Sequence, residues 1–521
     1  MTNKPQQVQR VSKGRRGTFA ALATSATLFL LTVLSRIPFR TRILYHWDSV
    51  NFAFAMRRFD VAVDQPQPPG YILYVWLCRL VDLRFRDANT TMVWISVVAS
   101  GLAVVFLYLL GRAMWGERVG LVAALFLAAS PLFWFYGEIA LPHALDTMMV
   151  LLSAWLLWRV REGEHRLLWP AVISLGVAGG IRPQTLVFLL PLALYAMARV
   201  GIARLAGATA LGAVVCLAWF VPLTASAGGV GRYLEVMSVF SGRFQQTTSV
   251  LMGAGWSGVL YNLRKLALYT LYGLAASLLP CFLAPFLLRR RSLRALLDPR
   301  WLFLSFWALP PIAFYTLIHM GQQGLVFIFL PVLLLVGAVG LVRLVRGRWL
   351  WAAAGLLMLL NVALFGLAPE HPAGPGGPRL LTRETLVNSD RYYLDRLTVI
   401  RESFSPSHTA VVAVNWHHLE YYLSEYTLLR LDPGPPNSPP SLTPRRWPGE
   451  GTLSAADLGL TPDEEGRVAL VLFDEEIPSL FSVRGSVEAI PLSAGGRLQV
   501  LWLRTEERLR YDEVGMEVVT P

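Results

Sequence analysis

The sequence predicts an all-α polytopic membrane bundle followed by a small α/β domain. Of its 521 residues, 54% are hydrophobic and only 16% are charged, whereas soluble domains carry about 25% charged residues. The mean hydropathy is +0.48, and long apolar runs recur from Phe19 to Ala368. Runs of about 20 residues match a hydrocarbon core about 30 Å thick. The apolar runs stop at Pro369, where the pattern of a second domain begins.

The apolar runs divide into about eleven candidate transmembrane helices. They are 18–38, 91–111, 118–136, 143–159, 167–181, 184–199, 204–226, 264–288, 302–320, 324–342 and 349–368. Residues 1–17 are then an N-terminal tail, 18–368 a membrane domain with an external loop at 39–90, and 369–521 the second domain. The three cysteines include no CxxC pair, so a disulfide framework is not predicted.

Loop charge predicts the orientation. Five short arginine-rich loops, 112–118, 159–166, 200–204, 289–300 and 343–348, share one side if segment 71–86 does not cross. Arginine-rich short loops are typically cytoplasmic. We therefore predict a multi-pass inner or plasma membrane protein with a cytoplasmic N-terminus and an extracytoplasmic C-terminal domain. Segment 71–86 is predicted as an amphipathic helix lying in the interface. The net charge of +13 then reflects cytoplasmic loops and anionic lipid rather than nucleic acid.

Short apolar segments predict the strands of the C-terminal domain. AVVAVNW (410–416), RVALVLF (467–473) and RLQVLWL (497–503) are typical of strands, and HHLEYYLSEY (417–426) is typical of a helix. HPAGPGGP (371–378) is predicted as a linker, and the proline-rich stretch 433–444 as a loop.

The first candidate site is the start of external loop 39–90. Asp48 in YHWDSVNFA follows the first span and precedes a helical pattern. A carboxylate at the mouth of a bundle can act as general base toward a hydroxyl, and His46 beside it is a candidate substrate ligand. The alternative for Asp48 is a helix N-cap, for which aspartate is favoured.

The second candidate site lies between the third and fourth spans, in GEIALPHALDTMM. Glu138, His143 and Asp146 are ionisable groups at the edge of a span, where charge is costly unless it faces water or protein. We interpret them as functional, with snorkelling at the interface and an N-cap as the alternative. A divalent cation is neither required nor excluded by these three residues, and no metal ligand is assigned.

Further candidates for binding substrate or its phosphate are basic and amide side chains. Arg182 stands in GGIRPQT, a break inside an apolar stretch that must face protein or a cavity. A guanidinium there can hold a phosphate, or the break is a plain hairpin whose arginine reaches the surface. Arg243 lies in the external loop 227–263, and His319 and Gln322 lie at a later external turn.

The ordered set of motifs resembles the GT-C glycosyltransferases, in the branch of the protein O-mannosyltransferases and aminoarabinose transferases. The resemblance covers residues 18 to about 345. It is carried by YHWDSVNFA, QPPGYILYV, LYLLGRAMWGERVGLVAALFLAASPLF and GEIALPHALDTMM.

The resemblance implies inverting transfer of one sugar from a polyprenyl-phosphate carrier to an extracytoplasmic protein, glycan or lipid. It makes Asp48 the first-loop acid and Glu138 or Asp146 the second acid, and it suggests Arg182, Arg243 and His319 for the lipid phosphate. Many relatives have Asp-Glu in the first loop, whereas Ser49 follows Asp48 here. Two other classes remain open from the sequence: a transporter or flippase, and a non-catalytic assembly subunit.

Overall fold

The computed structural model of the chain describes residues 4–288, 298–374, 377–432, 441–444, 451–480, 482–493, 495–512 and 515–520. The chain divides into two compact units. The first comprises Met1–Arg42 and Phe52–Leu386, and the second comprises Ile43–Asn51 and Val387–Pro521. Each unit is described by itself below.

The first unit is built of helices joined by short turns. They are α1 Lys4–Arg36, α2 Trp47–Arg57 (whose first residues belong to the second unit), α3 Ile72–Phe85, α4 Ala88–Trp115, α5 Glu117–Ala129, α6 Pro131–Tyr136, α7 His143–Arg161, α8 Leu168–Ile181, α9 Pro183–Met197, α10 Ile202–Ser226, α11 Val230–Gln245, α12 Gly255–Leu274, α13 Leu278–Leu288, α14 Pro299–Leu317, α15 Leu330–Leu344 and α16 Arg348–Leu367.

Five stretches of the described chain are long and apolar enough to cross a membrane. They are Phe19–Phe39, Ala88–Trp115, Ile202–Ser226, Gly255–Ala284 and Arg348–Leu367. The other predicted spans are also helical, but three of the predicted spans are interrupted. In predicted span 324–342, the 3-10 helix Gln323–Ile328 precedes α15. Predicted span 118–136 breaks at Ser130, whose hydroxyl accepts the Phe133 N–H and donates to the Gly273 carbonyl. Predicted span 264–288 breaks at Ala275, whose φ of 44° ends α12.

Small residues let the central helices approach closely. A Cβ atom added at Gly111 of α4 would lie 2.8 Å from the Cα of Gly120 in α5. One added at Gly120 would lie 2.5 Å from the Tyr108 carbonyl oxygen. Glycine at both positions therefore allows backbone-to-backbone packing, which is common between membrane helices.

The predicted helix at 71–86 forms as α3. Its buried side chains include Ile72, Val75 and Cys78, while Leu80 and Leu83 are exposed. Residues 289–297 of the predicted arginine-rich loop 289–300 lie outside the described residues.

The second unit contains two sheets and the helices α17 Arg383–Ser403, of which residues 383–386 belong to the first unit, α18 Trp416–Tyr422 and α19 Ile477–Leu480. The strands are β1 Thr409–Ala413, β2 Thr427–Asp432, β3 Ser441–Pro444, β4 Gly451–Leu453, β5 Arg467–Leu472, β6 Ser482–Arg484, β7 Val487–Pro491, β8 Arg497–Arg504, β9 Arg508–Tyr511 and β10 Gly515–Val519. One sheet has the order β3-β2-β1-β5-β8-β7 and the other β4-β9-β10-β6.

The strands predicted at 410–416, 467–473 and 497–503 are confirmed as β1, β5 and β8. β1 runs parallel to both β2 and β5, and β8 pairs antiparallel with β5. Every residue of β1 is buried, as expected for a parallel strand covered on both faces. The predicted helix 417–426 is shorter in the structure because β2 begins at Thr427. Residues 433–440 of the predicted loop lie outside the described residues.

The predicted domain boundary at residue 369 needs two corrections. Residues up to Leu386 belong to the first unit, where the Tyr272 hydroxyl donates to the Leu381 carbonyl and Arg383 lies over the Phe39 ring. The composition change at Pro369 marks the end of a membrane helix, not of the folded unit. In addition, residues 43–51 of the predicted external loop fold with the second unit.

Candidate functional site

The break between α8 and α9 places Arg182 inside the first unit. Pro183 begins α9, and the residue before a proline is disfavoured in the helical conformation. Arg182 is accordingly extended, with φ −150° and ψ 104°. Gly180 just before it allows close packing, because a Cβ atom there would lie 2.4 Å from the Leu73 side chain of α3. The side chain of Arg182 is buried, so it does not reach the surface.

Arg182 forms a buried ion pair with Asp146 on the first turn of α7. Its Nη1 lies 3.4 Å from Asp146 Oδ2, and its Nε donates to Gln184 Oε1 at 3.1 Å. The Thr185 hydroxyl donates to Asp146 Oδ1 at 2.7 Å. Both carboxylate oxygens therefore have partners, as a buried charge requires.

Two tyrosines, Tyr71 and Tyr315 of α14, lie near this pair. The Tyr315 side chain is 3% exposed and its hydroxyl has no hydrogen-bond partner among the described residues. Tyr71 ends the QPPGY turn in the left-handed region, with φ 45°, a conformation that non-glycine residues adopt at a cost and often at functional sites.

The unused hydrogen-bonding groups of this cluster are donors. Within the described residues, Arg182 donates through Nε and Nη1 only, which leaves its Nη2 amino group. The Tyr315 hydroxyl is the second unused group. A guanidinium N–H and a phenol O–H can both be satisfied by an oxyanion. We name this set of Asp146, Arg182, Thr185, Tyr71 and Tyr315 the Arg182 cluster.

Glu138 lies in a different environment. It is fully buried, its Oε1 accepts the Trp134 indole N–H at 2.7 Å, and Oε2 has no hydrogen bond. Arg36 lies near Glu138. It also lies over the Trp134 ring and donates to the Ala128 carbonyl. The N-cap position of α7 is Pro142, so neither Glu138 nor Asp146 is the cap that the alternative interpretation suggested.

His143 packs against aromatic and backbone groups. Its ring centroid lies 4.9 Å from that of Tyr136, and a Cβ atom added at Gly324 would lie 2.4 Å from the ring. The Tyr136 hydroxyl also donates to Gln323 Oε1 at 3.3 Å. His143 therefore contacts the turn that follows Gln322.

The remaining predicted ligands of the first unit are spread out. His319 Nδ1 lies 3.0 Å from the Thr248 hydroxyl and interacts electrostatically with Lys265. Gln322 precedes the short 3-10 helix Gln323–Ile328. Arg243 pairs at 3.5 Å with Asp64, and both side chains are largely exposed. Arg243 thus has a different carboxylate partner from Arg182.

Asp48 and His46 belong to the second unit. Asp48 lies in the first turn of α2, where a negative charge is favoured by the helix dipole. His46 Nδ1 accepts the Asp48 backbone N–H at 3.1 Å and lies 3.6 Å from Asp48 Oδ2. The Asp48 side chain is 16% exposed, so it is accessible to a ligand.

No group of three or more His, Cys, Asp or Glu side chains in the described part of the chain is arranged to hold a metal ion.

Sequence reasoning missed several members of the Arg182 cluster. Thr185 lies three residues after Arg182 in GGIRPQT, and Tyr71 ends QPPGY, so local signals for these two were present. Tyr315 comes from a distant apolar helix, and nothing in its local sequence distinguishes it from other aromatic residues of the spans.

Comparison with known proteins agrees with the predicted resemblance. Residues 64–225 match the family described as dolichyl-phosphate-mannose-protein mannosyltransferase. This segment contains the QPPGY turn, Glu138, Asp146 and Arg182. No curated protein sequence matches the chain.

Solved structures match over nearly the whole length. ArnT from Cupriavidus metallidurans in the apo state has 12% identity and a TM-score of 0.54, covering 94% of this chain and 98% of that one. The same protein bound to undecaprenyl phosphate has 12% identity and a TM-score of 0.52, covering 93% and 97%. The oligosaccharyltransferase of Archaeoglobus fulgidus has 13% identity and a TM-score of 0.47, covering 78% and 64%. The ArnT matches confirm the predicted GT-C-like fold.

Proposed function

We propose that this chain is an integral membrane glycosyltransferase that moves one sugar from a polyprenyl-phosphate carrier to an acceptor hydroxyl with inversion. The observation that carries the proposal is the Arg182 cluster, a buried ion pair. Within the described residues, Arg182 Nη2 makes no hydrogen bond, and the buried Tyr315 hydroxyl has no partner. The cluster's Asp146, Arg182, Thr185 and Tyr71 lie in the segment that matches a mannosyltransferase family. The chain also has the fold of ArnT, which binds undecaprenyl phosphate in one of its crystal structures.

The polyprenyl-phosphate carrier has an apolar tail and a charged phosphate, and this explains why such a cluster lies at a break between two apolar helices. A polyprenyl tail stays in the bilayer because its apolar surface is costly to expose to water. Its phosphate must then meet protein groups at the edge of the hydrocarbon region, where a broken helix facing a cavity is tolerated. The break at Arg182 supplies a guanidinium there, and Asp146 fixes its orientation.

The reaction needs one base and one stabilised leaving group. Asp48 removes the proton from the acceptor hydroxyl, and the acceptor oxygen forms a bond to the anomeric carbon of the sugar. The bond between that carbon and the phosphate oxygen breaks, and its electron pair leaves with the carrier phosphate. Arg182 and Tyr315 stabilise the developing charge on the phosphate. A single displacement of this kind inverts the anomeric configuration.

Asp146 is the second acid in this proposal, and Glu138 has a structural role. Asp146 contacts the proposed phosphate ligand Arg182 directly, whereas Glu138 is enclosed beside Trp134 and Arg36. His46, through its hydrogen bond with the Asp48 backbone, orients the first turn of α2. Roles for His143, Arg243, His319 and Gln322 are not needed in this step.

The proposed orientation follows from the arginine-rich loops of the sequence. The N-terminus is cytoplasmic, and the acceptor and the C-terminal domain are on the opposite side of the inner or plasma membrane. The partners are then the lipid-linked sugar donor, an extracytoplasmic protein, glycan or lipid acceptor, and the bilayer itself.

The test is transfer of label from polyprenyl-phosphate sugars to candidate acceptors by the purified protein in lipid nanodiscs. We expect Asp48→Asn to lower the rate by roughly 10³-fold, because a positioned general base contributes about 10²–10⁴-fold. The matched control is Asp87→Asn, since asparagine can replace Asp87 as the N-cap of α4. Wild-type rates from Asp48→Asn would remove Asp48 from the mechanism. Absence of transfer from every labelled donor by wild type would contradict the enzymatic function.

A further inference from the structure

We infer that the C-terminal domain is a positioning device for Asp48, which it holds through the segment Ile43–Asn51. The inference rests on the proposed function for its catalytic consequence. The first observation is that this segment, although it follows the first membrane helix in sequence, forms one compact unit with Val387–Pro521.

Two consecutive backbone residues of the segment are held by side chains of the C-terminal domain. Asp390 Oδ1 accepts the Ile43 N–H at 3.2 Å. The Tyr422 hydroxyl accepts the Leu44 N–H at 3.0 Å, and His418 Nε2 donates to the Leu44 carbonyl at 2.8 Å. The segment therefore has hydrogen bonds to side chains on α17 and α18 that are more than 300 residues away in the sequence.

The histidine of this contact has a fixed protonation state. Burial lowers the pKa of His418 to about 3, so the ring is neutral at physiological pH. Its Nε2 carries the proton that bonds the Leu44 carbonyl, while Nδ1 lies 3.4 Å from the Tyr393 hydroxyl. The ring also stacks on Tyr393, with centroids 4.4 Å apart. The donor therefore keeps one orientation.

Apolar contacts support the same attachment. Ile43 is 4% exposed and packs in the core cluster that includes Tyr393, Leu397 and Leu419. Leu44 is fully buried. Trp47, next to Asp48 in sequence, has its ring centroid 5.5 Å from that of His417. The segment is thus part of the domain core at its start and touches α18 again at Trp47.

The start of α18 is itself fixed to the central sheet. Asp474 follows β5, and its carboxylate accepts the backbone N–H groups of Val414 and Asn415 at 2.7 and 3.1 Å. The Asn415 side chain and the Tyr392 hydroxyl donate to the same carboxylate. Since His418 and Tyr422 lie on α18, they are held by a helix whose own position is determined by a buried acid.

The consequence for Asp48 follows from its distance along the chain. Asp48 is four residues beyond Leu44, and its N–H bonds His46 within the same segment. A change in the hydrogen bonds that anchor Leu44 therefore shifts the position of the Asp48 carboxylate. A general base loses efficiency when it is displaced by about 1 Å, so a domain far away in sequence controls the reactivity of the first-loop acid.

The decisive variant is Tyr422→Phe, which removes only the hydroxyl that accepts the Leu44 N–H. Tyr426→Phe is the matched control, because the buried Tyr426 hydroxyl donates to the Ile400 and Phe404 carbonyls and does not contact the segment. Both variants are made in the full-length protein in nanodiscs. Hydrogen–deuterium exchange of residues 43–51 is measured together with kcat and KM for the labelled polyprenyl-phosphate sugar.

We expect Tyr422→Phe to speed exchange in 43–51 at least tenfold and to lower kcat about tenfold with KM for the donor unchanged. Tyr426→Phe is expected to leave both quantities near wild type. Unchanged exchange in Tyr422→Phe would overturn the attachment. Faster exchange with an unchanged kcat would overturn the positioning of Asp48 and leave the enzyme assignment intact. If wild type transfers no sugar, the proposed function fails, and the exchange experiment still decides whether the domain holds the segment.

Discussion

Glu138 and Asp146 are two acids on either side of the start of α7, both buried, and their surroundings differ in what is left unsatisfied. Beside Glu138, the groups without hydrogen bonds are its own Oε2 and the Nε of Arg36, an acceptor and a donor of opposite charge. Beside Asp146, both carboxylate oxygens are bonded and the unused groups are Arg182 Nη2 and the Tyr315 hydroxyl. The groups left over beside Glu138 are thus an acceptor and a donor, whereas the two left over beside Asp146 can both donate to an acceptor from outside. Burial of an acid alone therefore does not identify a binding site.

Among changes in the surroundings of Glu138 and Asp146, the largest effect on transfer is expected when the guanidinium of the Arg182 cluster is changed. Arg182→Lys keeps a positive charge beside Asp146 but loses the planar fork of donors that matches a phosphate. We expect kcat/KM to fall by roughly 10²-fold, since removal of one donor to a developing oxyanion costs about 10²–10³-fold. The measurement is initial-rate transfer at several donor concentrations.

The control for Arg182→Lys is Arg232→Lys, because Arg232 is an exposed residue of α11 that pairs with Glu235. This control is expected to transfer at the wild-type rate, since exposed ion pairs contribute little. A wild-type kcat/KM in Arg182→Lys would mean that the Arg182 cluster does not bind the carrier phosphate.

A smaller effect is expected from Tyr315→Phe. The change removes a buried hydroxyl that has no protein partner among the described residues, so stability should change by no more than about 0.5 kcal/mol. Loss of a hydrogen bond to a charged ligand should lower kcat/KM roughly tenfold. Loss of activity without loss of thermal stability, measured on the same preparation, would mark the hydroxyl as a ligand group. Loss of both together would instead indicate a packing role.

The smallest effect on transfer is expected from Glu138→Gln. Glutamine keeps an acceptor for the Trp134 indole but removes the charge that faces Arg36. We expect a loss of about 3 kcal/mol in stability, because a buried charge is left without its opposite. The specific activity of the folded fraction should stay within about threefold of wild type, since only groups that stabilise the transition state change kcat/KM. A hundredfold loss of specific activity in folded protein would make Glu138 the second acid.

The fold was largely predictable because its main signals are local. Apolar runs of membrane length predicted the helical unit, and short apolar segments beyond Pro369 predicted the strands β1, β5 and β8. The breaks at Ser130 and Ala275 were missed because their cause is partly tertiary: Ser130 bonds a carbonyl on another helix. The attachment of residues 43–51 to the C-terminal domain was also missed, since it depends on α18 side chains distant in sequence.

The candidate site was predictable only in part. Arg182 was recognisable because a charged residue at a Gly-Gly-X-Arg-Pro break inside an apolar stretch is costly unless it meets a partner or a ligand. The choice between Glu138 and Asp146 depended on partners distant in the sequence, Arg36 of α1 for Glu138 and Arg182, Thr185 and Tyr315 for Asp146. From the sequence alone, Arg243 and Arg182 were equal candidates for binding the lipid phosphate. The structure distinguishes them, because Arg243 is exposed and Arg182 is buried.

Binding of polyprenyl phosphate tests the contrast between the two acids most directly. Native mass spectrometry of the purified protein with undecaprenyl phosphate would compare wild type, Arg182→Lys and Glu138→Gln at matched concentrations. We predict that wild type and Glu138→Gln bind the lipid equally and that Arg182→Lys binds it at least tenfold more weakly. Equal binding by Arg182→Lys, or a loss confined to Glu138→Gln, would contradict the assignment of the Arg182 cluster as the phosphate site.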